Sequence, residues 1–135
     1  MYFFDTNILI DFLRGRLPLG LELLNNTDTR LVKIPAIVEA ELLVGARKSA
    51  KPEANELAIE SLICNFETVP FDLRCARAYA RIRSDLEAEG QPIGPNDLII
   101  AACALVHDAT LVTNNVCEFK RVNGLRIMSL QDVEL

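Results

Sequence analysis

At 135 residues the chain has the length of one compact domain, residues 1–135, and with half of them apolar it can bury a real core. Its net charge of −5 argues against indiscriminate nucleic-acid binding by the whole surface, although a local patch built from its ten arginines stays open. No apolar run approaches the roughly 20 residues that span a bilayer, and the N-terminus has no basic start or cleavage site of a signal peptide, so a soluble cytoplasmic protein is expected. Residues 1–5 read as a buried strand ending in Asp5-Thr6-Asn7, and residues 6–14 as a helix broken by Arg14-Gly15-Arg16 and Pro18. A short helix is predicted over 19–25 and a strand over 30–34. Pro35 opens a helix to about 48 and Pro52 another to about 64. A strand follows over 67–71, and Asp72 caps a long helix to about 89. Gly90 to Pro95 is a loop, 96–107 a nearly all-apolar helix, 110–113 a strand, 114–119 a turn or short helix, and 125–128 a last strand.

Strands alternating with helices imply crossover connections, and near-continuous apolar strands imply burial on both faces. The predicted fold class is therefore α/β: a three-layer α/β/α sandwich around a mostly parallel sheet of about five strands. In such sheets ligands bind at the carboxyl edge of the strands.

Three acids are placed for that edge. Asp5 ends the first strand, Glu41 lies in Glu41-Leu42-Leu43-Val44-Gly45, and Asp97 opens the apolar helix after Gly94-Pro95-Asn96. Each also has a plain structural reading. Asp5 and Asp97 could cap the helices that follow, with Thr6, Asn7 and Asn96 as competing caps. Glu39 and Glu41 point roughly 200° apart on one helix, so one is expected in solvent and the other turned toward the sheet edge. Thr113-Asn114-Asn115 ends a strand and could be an ordinary polar turn, and Glu118 an ordinary surface acid.

If Asp5, Glu41 and Asp97 converge, two carboxylates about 4 Å apart repel by roughly 4 kcal/mol at an effective dielectric of about 20. A cation relieves that, and oxygen-only ligands suit Mg²⁺ or Mn²⁺. Cys64, Cys75, Cys103 and Cys117 have no C-x-x-C spacing and are expected to be free thiols, Cys103 in the core. His107 ends the apolar helix and reads as a capping or surface residue. A dinucleotide site is disfavoured because the first turn lacks G-x-G-x-x-G. A receiver domain or a haloacid-dehalogenase-type phosphatase would need a second acid beside Asp5, where the chain has Thr6 and Asn7.

Taken together, Asp5-Thr6-Asn7 after an N-terminal strand, Glu41-Leu42-x-x-Gly45, Asp97 before Ile-Ala-Ala and Thr113-Asn114-Asn115 after a late strand resemble the PIN domain over nearly the whole chain. The stretch Gly90 to Asp97, with Leu111 to Asn115 and Glu118-Phe119, is most similar to the VapC ribonuclease toxins of toxin–antitoxin pairs. The resemblance implies an endoribonuclease dependent on Mg²⁺ or Mn²⁺, with tRNA a frequent substrate and a 5′-phosphate left by hydrolysis. It implies Asp5, Glu41, Asp97 and Glu118 as catalytic acids, with Asp5 and Asp97 as the metal ligands. Thr6, Asn7, Thr113 and Asn115 would support them. Many PIN domains carry a fourth acid where this chain has Asn115, and Glu118 is the replacement at hand. The resemblance also implies a homodimer and a VapB-type antitoxin whose C-terminal segment covers the toxin; apolar stripes on the helices at 36–48 and 52–64 are candidates for its groove and equally for core or homodimer surface. Arg14, Arg16, Arg47, Lys48 and Lys51 are the weaker candidates for phosphate contacts. Arg74, Arg77 and Arg81 share a helix face that Asp85 continues, and salt-bridge spacing accounts for them. The alternative from another class is a PIN-like domain that binds RNA or a partner without cutting.

Overall fold

The computed structural model describes residues 1–15 and 29–129, so Arg16 and the helix predicted over 19–25 lie outside the described residues. Five strands, β1 (Tyr2–Phe4), β2 (Val32–Pro35), β3 (Glu67–Val69), β4 (Thr110–Val112) and β5 (Arg126–Met128), form one sheet in the order β3-β2-β1-β4-β5. Every pairing is parallel. The described α-helices are α1 (Thr6–Leu13), α2 (Ala36–Arg47), α3 (Pro52–Ile63), α4 (Leu73–Ala88), α5 (Pro95–Val106) and α6 (Val116–Phe119), and a 3-10 turn at Thr29–Leu31 leads into β2.

Local chemistry sets the boundaries. Pro35 ends β2 and is the N-cap of α2, while Pro52 and Pro95 open α3 and α5, where a missing N–H costs nothing. Asp72 caps α4 by accepting from the Cys75 amide at 3.0 Å. At the other end of α4, Gly90 takes φ +69°, which lets the Gln91 amide reach back to the Leu86 carbonyl at 2.8 Å and closes the helix.

From β1 the chain steps outward to β2 and β3, then returns to the other side of β1 for β4 and β5. Right-handed crossovers in opposite directions place α1–α3 on one face of the sheet and α4–α6 on the other. The sheet is thereby covered on both sides, and Phe3, Leu9, Ile34, Leu42, Ile100 and Leu111 are fully buried between the layers. Reversal of strand order between β1 and β4 leaves a crevice at their carboxyl ends, the switch point at which open α/β sheets bind ligands. Among the described residues no helix is long and apolar enough to cross a membrane.

Candidate active site

Register puts Asp5 and Thr113 side by side at that switch point. Phe4 pairs with Val112, so the next residue of each strand emerges together at the sheet edge. The Asp5 amide donates to the Val112 carbonyl at 3.1 Å, and the Thr113 amide to Met128 at 3.0 Å, which fixes both backbones. Asp5 is buried and caps α1: its Oδ1 accepts from the Thr6 amide at 2.7 Å and its Oδ2 from the Thr113 hydroxyl at 2.7 Å. Asp5 thus caps α1 and also stands at the switch-point crevice, its carboxylate held by two hydrogen bonds. Burial raises its pKa against the two hydrogen bonds that lower it, with the Glu41 charge a smaller raising influence.

Thr6 uses its hydroxyl differently, donating to Glu41 Oε1 at 2.9 Å and so tying α2 to the start of α1. Glu41 is half-buried and turned toward the acids as expected. Glu39 departs from expectation. It is half-buried, with its Oε2 accepting from the Thr68 hydroxyl at 3.1 Å, because its direction on α2 faces β3.

Asp97 does not cap its helix. Gly94 is the N-cap, Pro95 and Asn96 precede Asp97 in the first turn, and no side chain caps α5. Its carboxylate is left for the crevice, half-buried, with its pKa pushed up to about 7. Desolvation is the largest cause, followed by the side-chain contact with Glu118 and the charges of Asp5, Glu118 and Glu41. Those causes place all four acids within one electrostatic neighbourhood. Asn115 completes it, its side-chain amide donating to Glu118 Oε2 at 3.0 Å and its backbone amide to Thr113 Oγ1 at 3.0 Å. Asn7 is exposed and makes no side-chain hydrogen bond among the described residues.

No ion pair among the described residues neutralises any of these acids; the ion pairs found there are Lys33–Glu67, Arg47–Glu56, Arg83–Glu87 and Arg126–Asp108. Nor, among those residues, do three acidic, His or Cys side chains close into a ready ligand set, so three carboxylates converging on one ion is not the observed arrangement. One oxygen of Glu41 is taken by the Thr6 hydroxyl and one of Glu118 by the Asn115 amide. Hard oxygen donors with unbalanced negative charge nevertheless suit Mg²⁺, which takes one or two carboxylates and keeps several waters.

The remaining sequence candidates lie elsewhere. Arg14, at the C-cap of α1, and Lys48, at the C-cap of α2, are exposed at the ends of helices that lead away from Asp5. Arg47 is paired with Glu56 at 3.0 Å. Lys51 is exposed at the start of α3. All four cysteines are free thiols, Cys75 and Cys103 buried. His107 is the C-cap of α5, at the opposite end from Asp97, with its ring 5.6 Å from that of Phe3.

Thr113, named with Thr6 as a supporting residue, is the most deeply buried polar side chain of this arrangement. It is fully buried, and its hydroxyl both donates to Asp5 and accepts from Asn115. Thr113→Val keeps the shape and strips a donor from a buried carboxylate, which costs about 1–3 kcal/mol. Urea unfolding at neutral pH is expected to show that loss at unchanged m-value.

A profile of the PIN domain matches residues 2–125. Ribonuclease VapC2 of Rickettsia felis is 39% identical over 128 residues, covering 93% of this chain and 94% of the relative. The chain belongs to the VapC ribonucleases of the PIN domain family. A relative from Shigella flexneri, described as a tRNA(fMet)-specific endonuclease VapC, is 34% identical over 125 residues, again covering 93% of this chain and 94% of its own length. Among solved structures, DNA-bound VapBC from Salmonella typhimurium superposes with a TM-score of 0.91 at 34% identity, covering 96% of this chain and 97% of that one. Rickettsia felis VapBC2 bound to a promoter DNA fragment gives 0.86 at 37% identity, over 95% and 97%. Dependence on a divalent metal is general in PIN-domain VapC nucleases.

Proposed function

We propose that this chain is the toxin of a toxin–antitoxin pair, an endoribonuclease that hydrolyses RNA phosphodiester bonds with Mg²⁺, Mn²⁺ being a workable substitute. The observation that carries the reading is the switch-point crevice where Asp5, Asp97, Glu41 and Glu118 share one field with no paired cation among the described residues. Asp5 and Asp97 would hold the ion directly, and Glu41 and Glu118 would reach it through water. A bound Mg²⁺ supplies neutralisation of phosphate charge and a more acidic water. The chain's own groups do the rest. Thr113 and the Thr6 amide fix the Asp5 carboxylate, and the Thr6 hydroxyl occupies Glu41 Oε1. That leaves Glu41 Oε2 to take the proton of the attacking water. Asn115 orients Glu118 against Asp97.

The Shigella relative's description makes tRNA the substrate class to test first. The VapBC complexes support a VapB-type antitoxin as partner. Its docking surface is the groove of about 220 Å³ between α1, α2 and α3, lined by Ile10, Leu13, Leu42, Ala46, Ala58 and Ile59 and fit for the apolar face of a helix. A homodimer acting in the cytoplasm, where RNA is found, completes the reading.

Purified protein incubated with total cellular RNA is expected to cut it with Mg²⁺ or Mn²⁺ and to leave it whole in EDTA, as read by 5′-end sequencing. Cutting that survives chelation would refute the metal-dependent reading. Intact RNA under every metal condition would leave the non-cleaving alternative.

A further inference from the structure

The acidic site makes no use of one face of α4. Arg74, Arg77 and Arg81 recur there at helical spacing and line a cleft of about 390 Å³ together with Ala78, Leu105 and Val106. No carboxylate lines that cleft. The expected pairing with Asp85 does not form; the ion pair on α4 among the described residues is Arg83–Glu87 at 2.8 Å, on another side of the helix. Arg77 and Arg81 have no side-chain hydrogen bond or ion pair among the described residues, and Arg74 spends one nitrogen on the Val106 carbonyl at 3.3 Å. Arg81 also lines the neighbouring cleft with Arg121, which donates to the Pro92 carbonyl at 3.1 Å in the loop that leads to Asp97. Asp72 caps the start of the strip, and Asp85 and Glu89 stand beside Arg81 in that second cleft. Acids therefore flank the strip and leave its middle positive, on a chain whose net charge is −5.

We infer that Arg74, Arg77 and Arg81 form a second contact for RNA, holding backbone phosphates of a strand whose scissile bond lies at the acidic crevice. The inference rests on the nuclease reading above. Guanidinium groups match phosphate oxygens two at a time, and their weak hydration suits a cleft partly walled by Leu105 and Val106. Along α4 the three arginines span about 10 Å, and along α5 Leu105 is roughly 12 Å from Asp97. The strip is too far from the crevice to touch the reacting phosphate. It binds ground and transition states alike, so its removal raises KM and spares kcat.

The test is binding of a fluorescein-labelled single-stranded RNA of tRNA length, followed by anisotropy in EDTA across a salt series. Arg74→Gln/Arg77→Gln/Arg81→Gln is expected to lower affinity about 30-fold and to flatten the log–log salt slope by about 2, since each single-strand phosphate contact contributes roughly 0.7. Arg83→Gln, on the paired side, is expected to stay within twofold of the parent chain. A triple Arg→Lys variant keeps the charge and is expected to recover part of the affinity, which a merely structural defect would not do. In Mg²⁺, KM for the same RNA is expected to rise in step with the binding loss. Should the triple Gln variant match the parent in affinity and slope while the parent still cleaves RNA, the strip is refuted and the nuclease reading stands. Loss of binding to duplex DNA or polyaspartate but not to RNA would also overturn it. A parent chain that neither binds nor cuts RNA overturns both.

Discussion

Asp5→Asn is expected to abolish metal-dependent RNA cleavage while leaving the metal-free fold as stable as the parent or more so. The two effects have one cause. Asp5 is a buried carboxylate whose charged form is disfavoured by desolvation and by the nearby Glu41. Asparagine has the same shape and carries no charge. It can still accept from the Thr6 amide, the bond that caps α1. What it loses is the negative charge that would hold a divalent cation at the switch point. A metal centre supplies several kcal/mol of charge stabilisation to the transition state. At 1.36 kcal/mol per factor of ten, rates should fall by at least about 100-fold. The expected pairing of results is lost cleavage at saturating Mg²⁺ with an EDTA-state Tm equal to or above that of the parent. Cleavage within a few-fold of the parent would remove Asp5 from the ligand set. A sharply lower Tm would assign the effect to lost capping instead.

The sequence carried the architecture to within a residue or two at most element ends, for identifiable reasons. Pro35, Pro52, Asp72 and Pro95 punctuate the chain chemically, and each sits at the helix start that its chemistry dictates. The acids were legible as residues at strand and helix ends. Their mutual geometry was not, because it depends on contacts between side chains far apart in the chain: Thr113 to Asp5 and Thr6 to Glu41. Strand order decides which ends become neighbours, and spacing along the chain does not encode it. The same limit explains Glu39, whose partner Thr68 lies on another strand. It explains the arginine face as well. Spacing allowed Arg81 to meet Asp85, but Asp85 is one methylene shorter than Glu87, and the pair that forms on α4 is Arg83–Glu87. Rotamer choice decides such pairs, and a helical wheel contains none of that information.

Asp97 should make both stability and metal affinity depend on pH, in opposite directions. Its folded-state pKa is pushed up to about 7 from the ordinary 3.8 by desolvation, by Glu118 and by the charges of Asp5 and Glu41. A carboxyl group raised on folding binds its proton more tightly in the native state. Between pH near 4 and 7 the native protein therefore carries the extra proton, and stability falls as pH rises through that window. Below it both states are protonated and above 7 neither is, so the penalty is absent at the acid end and complete at the alkaline end. Asp97 is only half-buried, and solvent screening reduces the penalty to about 1 kcal/mol. That corresponds to a Tm drop of about 4 °C from pH 5 to pH 8 in EDTA. Metal reverses the sign, since Mg²⁺ must displace that proton: its affinity is expected to climb about tenfold per pH unit below 7 and to level off above. Asp97→Asn should weaken Mg²⁺ binding at every pH, flatten its dependence, and remove most of the metal-free Tm slope, leaving the part due to Asp5. Melting curves and calorimetric titrations of parent and variant at pH 5, 6, 7 and 8 measure all three. A variant that keeps the parent's slope and affinity would show that the proton and the metal reside on another group.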